Sequence, residues 1–310
     1  MKSTAEIILE KIASKTGIPD LPQVLSDTLS TGELTSLLLE VYKNKASKIL
    51  PYQLTQQFDQ NRLVRPSRFS PIAQKQLEIL VLGTYQNSGF EPVELSPVAP
   101  LGVSSCFGKV SQHKILTALR SSEVASDPSN ILLLLSVQKS KTSESNTIQL
   151  CTVQRVVRTN FFVSEINTPH FILFSSTSLI SSSEKEEIAF SAYKNLKTSY
   201  AIYQKLFPGS EILFSIKKRS NKPWLADGLV EQFKANQCLP FHVSHQDHPY
   251  YEGVQIKTLV RDGDQELEVA DAGFTDWARK ITGKKDLYYF IHGIGMDRLL
   301  SLNSFHESGA

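Results

Sequence analysis

Residues 287–300, LYYFIHGIGMDRLL, constrain this chain more than any other stretch. Tyr288, Tyr289, Phe290 and Ile291 read as a buried strand that runs into Gly293 and Gly295, then into a short helix carrying Arg298. Glycine at a strand-to-helix turn lets the backbone approach a ligand, because no Cβ stands in the way. An arginine one turn into such a helix adds a permanent planar cation, suited to a polyphosphate oxygen or the face of a base. Gly-x-Gly alone marks only a tight turn. The whole string Gly293-Ile-Gly295-Met-Asp297-Arg298 is more restrictive.

With 310 residues the chain can bury a core in one large domain or two modest ones. A hydrophobic content of 41% and a charged content of 21% are ordinary for a globular protein. The net charge of +2 neither requires nor excludes RNA, since a basic patch can sit inside a neutral total. The amphipathic N-terminus lacks the apolar core of a signal peptide, and the run at 131–135 is too short to span a membrane. Cys106, Cys151 and Cys238 are scattered and odd in number. Reduced thiols, a cytoplasmic location and no membrane partner are therefore expected.

Residues 1–69 read as a helical extension and 70–310 as the core. Apolar positions recur with helical period in AEIILEKIA and TGELTSLLLEVY. Arg62, Arg65 and Arg68 at its end form either a face for RNA phosphates or a solvated surface. Ser70-Pro71 then opens a helix, with Ala73, Leu77, Leu80 and Thr84 on one face and Gly89 at its end, before a short strand to Pro97. Residues 131–137 read as an apolar strand. Residues 148–158 form another, on which alternation sends Arg155 and Arg158 to opposite faces. A loop containing Asn160, Asn167 and Pro169 leads into a strand from His170 to Phe174.

Ser183 and Glu186 have the spacing of a capping box. The helix that follows carries a core stripe of Phe190, Tyr193, Leu196, Tyr200, Tyr203 and Phe207. Residues 210–216 return as a strand. Residues 221–248 read as loop. Cys238, His242, His245, Asp247 and His248 there are either zinc ligands or hydrogen-bonded loop side chains. Residues 254–260 and 266–270 pair through Asp262-Gly263 as a hairpin. Glu266 and Glu268 share one face of the returning strand, and Glu268 is either a magnesium ligand or part of a solvated face.

In that order, three segments resemble the motifs of class II aminoacyl-tRNA synthetases. Residues 70–97 resemble motif 1, Val156-Val157-Arg158 with Pro169-His170-Phe171 resembles motif 2, and Gly293 to Arg298 resembles motif 3. Motif 2 is most like the phenylalanyl, phosphoseryl and pyrrolysyl branch. The resemblance implies an α+β fold: a mainly antiparallel sheet flanked by helices, paired as a homodimer through motif 1. It implies ATP and Mg2+, with an amino acid or related carboxylate activated as an acyl-adenylate and passed to tRNA or another acceptor. Arg158 would hold the α-phosphate, Phe171 and Arg298 would sandwich adenine, and Asn160 would accept from the adenine amino group. Glu268 would bind magnesium, Gly293 and Gly295 would give room, and Tyr251 and Glu252 would lie near the acyl pocket.

Two departures matter. Thr159-Asn160 replaces the acidic residue that the branch carries after its arginine, and Ile172-Leu173 replaces a polar pair that helps to hold the substrate amino group. The chain also ends soon after motif 3, so no C-terminal anticodon-binding domain is expected. These features leave open a catalytically inactive paralogue serving as a binding or regulatory module. An unrelated α+β protein with chance motifs is the third alternative.

Overall fold

The computed structural model describes residues 2–108, 110–160, 168–237, 239–247 and 250–302. Four helices lead the chain: α1 (Thr4–Thr16), α2 (Leu21–Thr28), α3 (Thr31–Ala46) and α4 (Pro51–Gln60). Ser3 with Glu6 and Ser30 with Glu33 form capping boxes that open α1 and α3. None of the described residues in these helices is buried. The segment that follows is tied down instead. Arg62 donates to the carbonyl oxygens of Thr159 and Asn160, and Nε2 of His170 meets the Arg65 carbonyl oxygen.

Helix α5 (Pro71–Asn87) starts as its sequence predicts, with the Ser70 hydroxyl accepting from the Ala73 amide and Gly89 left-handed just past its end. Its buried face is Gln74, Leu77, Val81 and Tyr85; of the expected face Leu77 is buried, while Ala73, Leu80 and Thr84 are half-buried beside it. After β1 (Glu91–Pro92), three short strands form a separate small sheet: β2 (Val98–Pro100), β3 (Thr117–Ala118) and β4 (Ser122–Val124). Short helix α6 (Val103–Gly108) interrupts them. The buried Glu123 carboxylate joins the two by accepting from the Gly102 and Ser104 amides.

The apolar run at 131–137 is a helix rather than the expected strand. It belongs to α7 (Pro128–Lys139), where Asp127 caps the Ser129 amide and proline fills the first turn. A short apolar run has no periodicity of its own to separate the two states, and here the cap decides.

The main sheet has eight strands in the order β1, β5 (Thr147–Val157), β6 (His170–Ser181), β11 (Leu287–Gly295), β10 (Gln265–Thr275), β9 (Glu252–Asp262), β7 (Glu211–Lys218) and β8 (Phe241–His245). It is mixed rather than mainly antiparallel as expected. The inner pairings are antiparallel, while β1 with β5 and β7 with β8 are parallel. Both parallel strands are edges, each reached through a longer connection.

Behind the sheet lie α5, α8 (Lys185–Leu206) and α9 (Trp224–Asn236), burying Leu77, Tyr85, Leu196, Tyr203, Leu229 and Phe233 against β6, β11, β10, β9 and β7. Ser183 and Glu186 do not cap α8. Instead Ser182 Oγ accepts from the Glu184 amide and donates to Glu187. Phe190 also leaves the expected stripe and is exposed. Residues 221–248, expected as loop, contain α9 and β8. Leu225, Leu229 and Phe233 place an apolar stripe of α9 in the core. On the front, α6, α7 and α10 (Trp277–Thr282) cover only one end of the sheet, through Phe107, Leu133 and Trp277. Among the described residues the other end stays open.

Candidate active site

The uncovered front face forms a cavity of about 630 Å3. Its floor follows from strand register. Thr152, Ser175, Gly293, Asp271, Lys257 and Ser215 stand side by side on β5, β6, β11, β10, β9 and β7. Residues in one such row face the same side of a sheet. Gly293 is the one member of this row without a side chain, and a Cβ there would meet nothing nearer than Leu173 Cδ1 at 3.8 Å. Open space therefore lies above it, between Ser175 and Asp271. At Gly295 a Cβ would press on Arg298, 3.2 Å from Cδ.

Alternation on β5 works as the sequence predicts. Arg155 turns to the back, where it meets Gln74 at 3.1 Å and His170 at 3.2 Å. Arg158 lines the cavity, and its Nε donates to the Ser126 carbonyl oxygen at 3.0 Å. Its guanidinium carbon stands 5.2 Å from the centre of the Phe171 ring. The cation over the Phe171 ring is thus Arg158.

Short helix α11 (Met296–Leu299) brings Arg298 to the same cavity, with Nη1 donating to the Glu268 carbonyl oxygen at 2.6 Å. Asp297, beside it, accepts from the Ile172 amide at 3.1 Å and ties α11 to the start of β6. Burial pushes its carboxyl up, against that hydrogen bond and the nearby Arg155 and Arg68 cations.

Glu268 lines the cavity beside a register shift in β10, and its carboxylate is 2.6 Å from Lys257 Nζ. Asn160 and Tyr251 also line it. Glu252 does not: its carboxylate is engaged by Arg279 and Lys222. Most of the sequence-predicted residues thus meet at one place, and Glu252 stands outside it.

Sequence reasoning missed Asp271. Its carboxylate accepts from Gln255 Nε2 at 2.8 Å and the Tyr251 hydroxyl at 3.1 Å. Burial raises its pKa, opposed by those two hydrogen bonds and by Lys257. Arg219, almost fully buried, donates to Gln255 Oε1 and the Gln246 carbonyl oxygen, so it orients the glutamine that holds Asp271. The only sequence signal was position: Asp271 lies two residues before Gly273, where a Cβ would come within 2.5 Å of the Tyr251 ring.

The histidines at the other sheet edge do not converge. His242 meets Ser215 at 2.8 Å and His245 lies near Asp247. Among the described residues no group of three or more metal-ligating side chains occurs. Cys238 and His248 lie outside the described residues. Arg62 and Arg65 donate to backbone carbonyls, and Arg68 lies over Phe69.

Solved aminoacyl-tRNA synthetase structures share this architecture. The RNA binding domain of threonyl-tRNA synthetase from Cryptosporidium parvum Iowa II superposes with a TM-score of 0.64 at 12% identity, over 76% of this chain and 65% of that one. A putative threonyl-tRNA synthetase from Aeropyrum pernix gives 0.62 at 13%, over 76% and 60%. Histidyl-tRNA synthetase from S. aureus gives 0.59 at 10%, over 79% and 71%. The first two are therefore spanned over less than two thirds of their length. No family model matches the chain, and no curated sequence matches it significantly. The fold is that of class II aminoacyl-tRNA synthetase domains. At these identities the likeness extends to the fold alone.

Proposed function

We propose that this protein binds ATP and activates an amino acid or related carboxylate as an acyl-adenylate, for transfer to tRNA or another acceptor. The observation that carries the reading is convergence: Arg158 after β5, Phe171 on β6, and Gly293, Gly295 and Arg298 at the end of β11 line one cavity. No single segment builds it. The substrate carboxylate attacks the ATP α-phosphorus, the bond to the bridging oxygen breaks, and pyrophosphate leaves with its electron pair. Such catalysis is mostly positioning and charge stabilisation. Arg158 and Arg298 supply fixed cations for the phosphates, and Phe171 supplies an aromatic wall. Asn160 borders the same space as an acceptor for the adenine amino group.

Magnesium fits as an ion shared with the phosphates. Glu268 offers one carboxylate, and Mg2+ is commonly held by one or two carboxylates with substrate oxygens and water. When bound there it neutralises phosphate charge. Lys257 competes for the same carboxylate, 2.6 Å away.

Pyrophosphate exchange with ATP against a panel of amino acids tests the reading, and exchange with one of them is the expected result. ATP binding without exchange would instead favour a binding or regulatory module. Leu173 lining the cavity beside Phe171 and the Lys257–Glu268 ion pair support that second reading. Absence of ATP binding by calorimetry at millimolar concentration would refute both.

The proposal extends to a homodimer built on the region from α5 to Pro97. Ile72 and Ile79 stand 68% and 73% exposed on the outer side of α5, an apolar surface suited to pairing. Sedimentation at the 34.7 kDa monomer mass at all concentrations would refute it. Among the described residues no helix is long and apolar enough to cross a membrane. A cytoplasmic location completes the proposal, with Cys106 and Cys151 as free thiols.

A further inference from the structure

The segment 62–69, which joins the helical extension to α5, is tied to the two strand ends that bring Arg158 and Phe171 to the cavity. The β5–β6 register ends at Val157 opposite His170, and the Arg158 amide adds one more bond, to the Pro169 carbonyl oxygen at 2.7 Å. The next two carbonyls are taken up from outside the sheet. Arg62 Nη1 donates to the Asn160 carbonyl oxygen at 2.9 Å, and Nη2 donates to that of Thr159. A guanidinium presents its N–H groups as a rigid planar fork, so bonds to two successive carbonyls fix direction as well as position. Thr159 is also held from another side, its hydroxyl donating to the Lys114 carbonyl oxygen at 2.8 Å. The same segment grips the start of β6. Arg155 has only N–H groups to offer, so His170 Nδ1, 3.2 Å from Arg155 Nη1, accepts. His170 Nε2 then carries the hydrogen given to the Arg65 carbonyl oxygen. The buried Gln74 adds a third tie, donating to Ser67 Oγ at 3.2 Å and accepting from Arg155 Nη2 at 3.1 Å.

Resting on the reading above, we infer that Arg62 is a positioning residue for the proposed reaction. Its fork sets the backbone of Thr159 and Asn160, and through it the place of Arg158, the cation assigned to the phosphates. Arg62 is not among the residues that line the cavity, so it acts through that backbone and not on the ligand. The Arg158 side chain is steadied separately, by Nε on the Ser126 carbonyl oxygen and by the Phe171 ring. Its main chain is fixed by Pro169 on one side and, one residue on, by Arg62. Displacements of about 1 Å in a positioned group are enough to cost an order of magnitude or more. Helix α4 ends at Gln60, so the residue that sets Arg158 belongs to the junction with the helical extension and not to the core. None of the described residues in α1–α4 is buried, which leaves this junction as the place where the extension meets the site.

Calorimetry on the full chain with ATP and Mg2+, and separately with adenosine, tests this, because only the first ligand reads the phosphate cation. The wild type is expected to prefer ATP. In Arg62→Ala that preference falls about tenfold, the scale of one charge-assisted hydrogen bond, while thermal melting shows an intact fold. Arg65→Ala is the control. Its side chain donates to the Asp59 carbonyl oxygen nearby in sequence, and its own carbonyl oxygen still meets His170, so the preference is kept. Arg62→Lys retains charge and stem but has no fork for two carbonyls, so it also loses most of the preference, and it serves where Arg62→Ala does not fold. A folded Arg62 variant with an undiminished preference, or one that loses both ligands equally, overturns the inference and leaves the nucleotide-binding reading intact. An equal fall in Arg65→Ala overturns it too. A wild type that binds neither ligand, or ATP no better than adenosine, removes the phosphate role of Arg158 and this inference with it.

Discussion

The guanidinium of Arg158, just past the end of β5, lies over the ring of Phe171 on β6, 5.2 Å from its centroid. This contact links the residue proposed to meet a phosphate to the one proposed as an aromatic wall, so a change in one alters the other. Cation–π pairs of this kind contribute about 0.5–2 kcal/mol, more when desolvated. Arg158→Ala is expected to weaken ATP binding and also to loosen Phe171. Arg155→Ala, on the back of the sheet beside Gln74, leaves ATP affinity in place. Calorimetry on the two variants checks it. ATP binding lost with Arg155 and kept without Arg158 would put the ligand on the wrong side of the sheet.

Arg298→Ala is expected to cost about 2–4 kcal/mol of transition-state stabilisation in an adenylation assay, the scale for losing one electrostatic donor. Arg298→Lys rescues little, because an ammonium lacks the planar fork that holds the Glu268 carbonyl oxygen while facing the cavity. Pyrophosphate-exchange rates for the two variants give the comparison, with thermal melting to confirm an intact fold.

Gly273→Ala, beneath Tyr251 at the edge of the site, is expected to be more disruptive than the same change at Gly293. The new Cβ would sit 2.5 Å from Tyr251 Cδ1 and 2.6 Å from the Val254 carbonyl oxygen, and backbone cannot swing aside. Overpacking of this kind costs about 1–3 kcal/mol. It also moves Tyr251, which holds Asp271. Gly293→Ala, which meets open space, leaves stability nearly unchanged and obstructs the ligand instead. Urea denaturation separates the two.

His292 provides the pH prediction. It is fully buried behind the sheet, with Nδ1 3.0 Å from Asn195 Oδ1 and 3.1 Å from the Tyr85 hydroxyl. Burial depresses its pKa from 6.5 to about 3. Above pH 6.5 both folded and unfolded states hold it neutral. Between 6.5 and 3 the unfolded chain takes up a proton that the native site refuses, so stability falls as the pH falls. The slope from this one group approaches about 1.4 kcal/mol per pH unit well below 6.5. Unfolding free energies at several pH values show that slope, and His292→Gln flattens it. An unchanged slope in the variant would assign the acid sensitivity elsewhere.

Much of this protein is set by local sequence. Ser70 caps α5 and proline follows it, so the helix starts where the chain says it must. Alternation separates Arg155 from Arg158, and Gly263 turns the hairpin of β9 and β10 in a left-handed conformation. The Gly293–Arg298 string brings backbone space and a cation to one strand end. Each depends on a period of two or on one residue's own stereochemistry, and both are local. Tertiary structure decided the rest. Ser175, Ser176, Thr177 and Ser178 have the composition of a loop, yet they continue β6 through the core because neighbouring strands satisfy their backbone and Asn195 receives Ser176. Residues 131–137 became helix through the cap at Asp127 and their burial on the sheet. Asp271 gained its significance only when register set it beside Gly293, since the partners of a strand residue lie on other strands, tens of residues away in sequence.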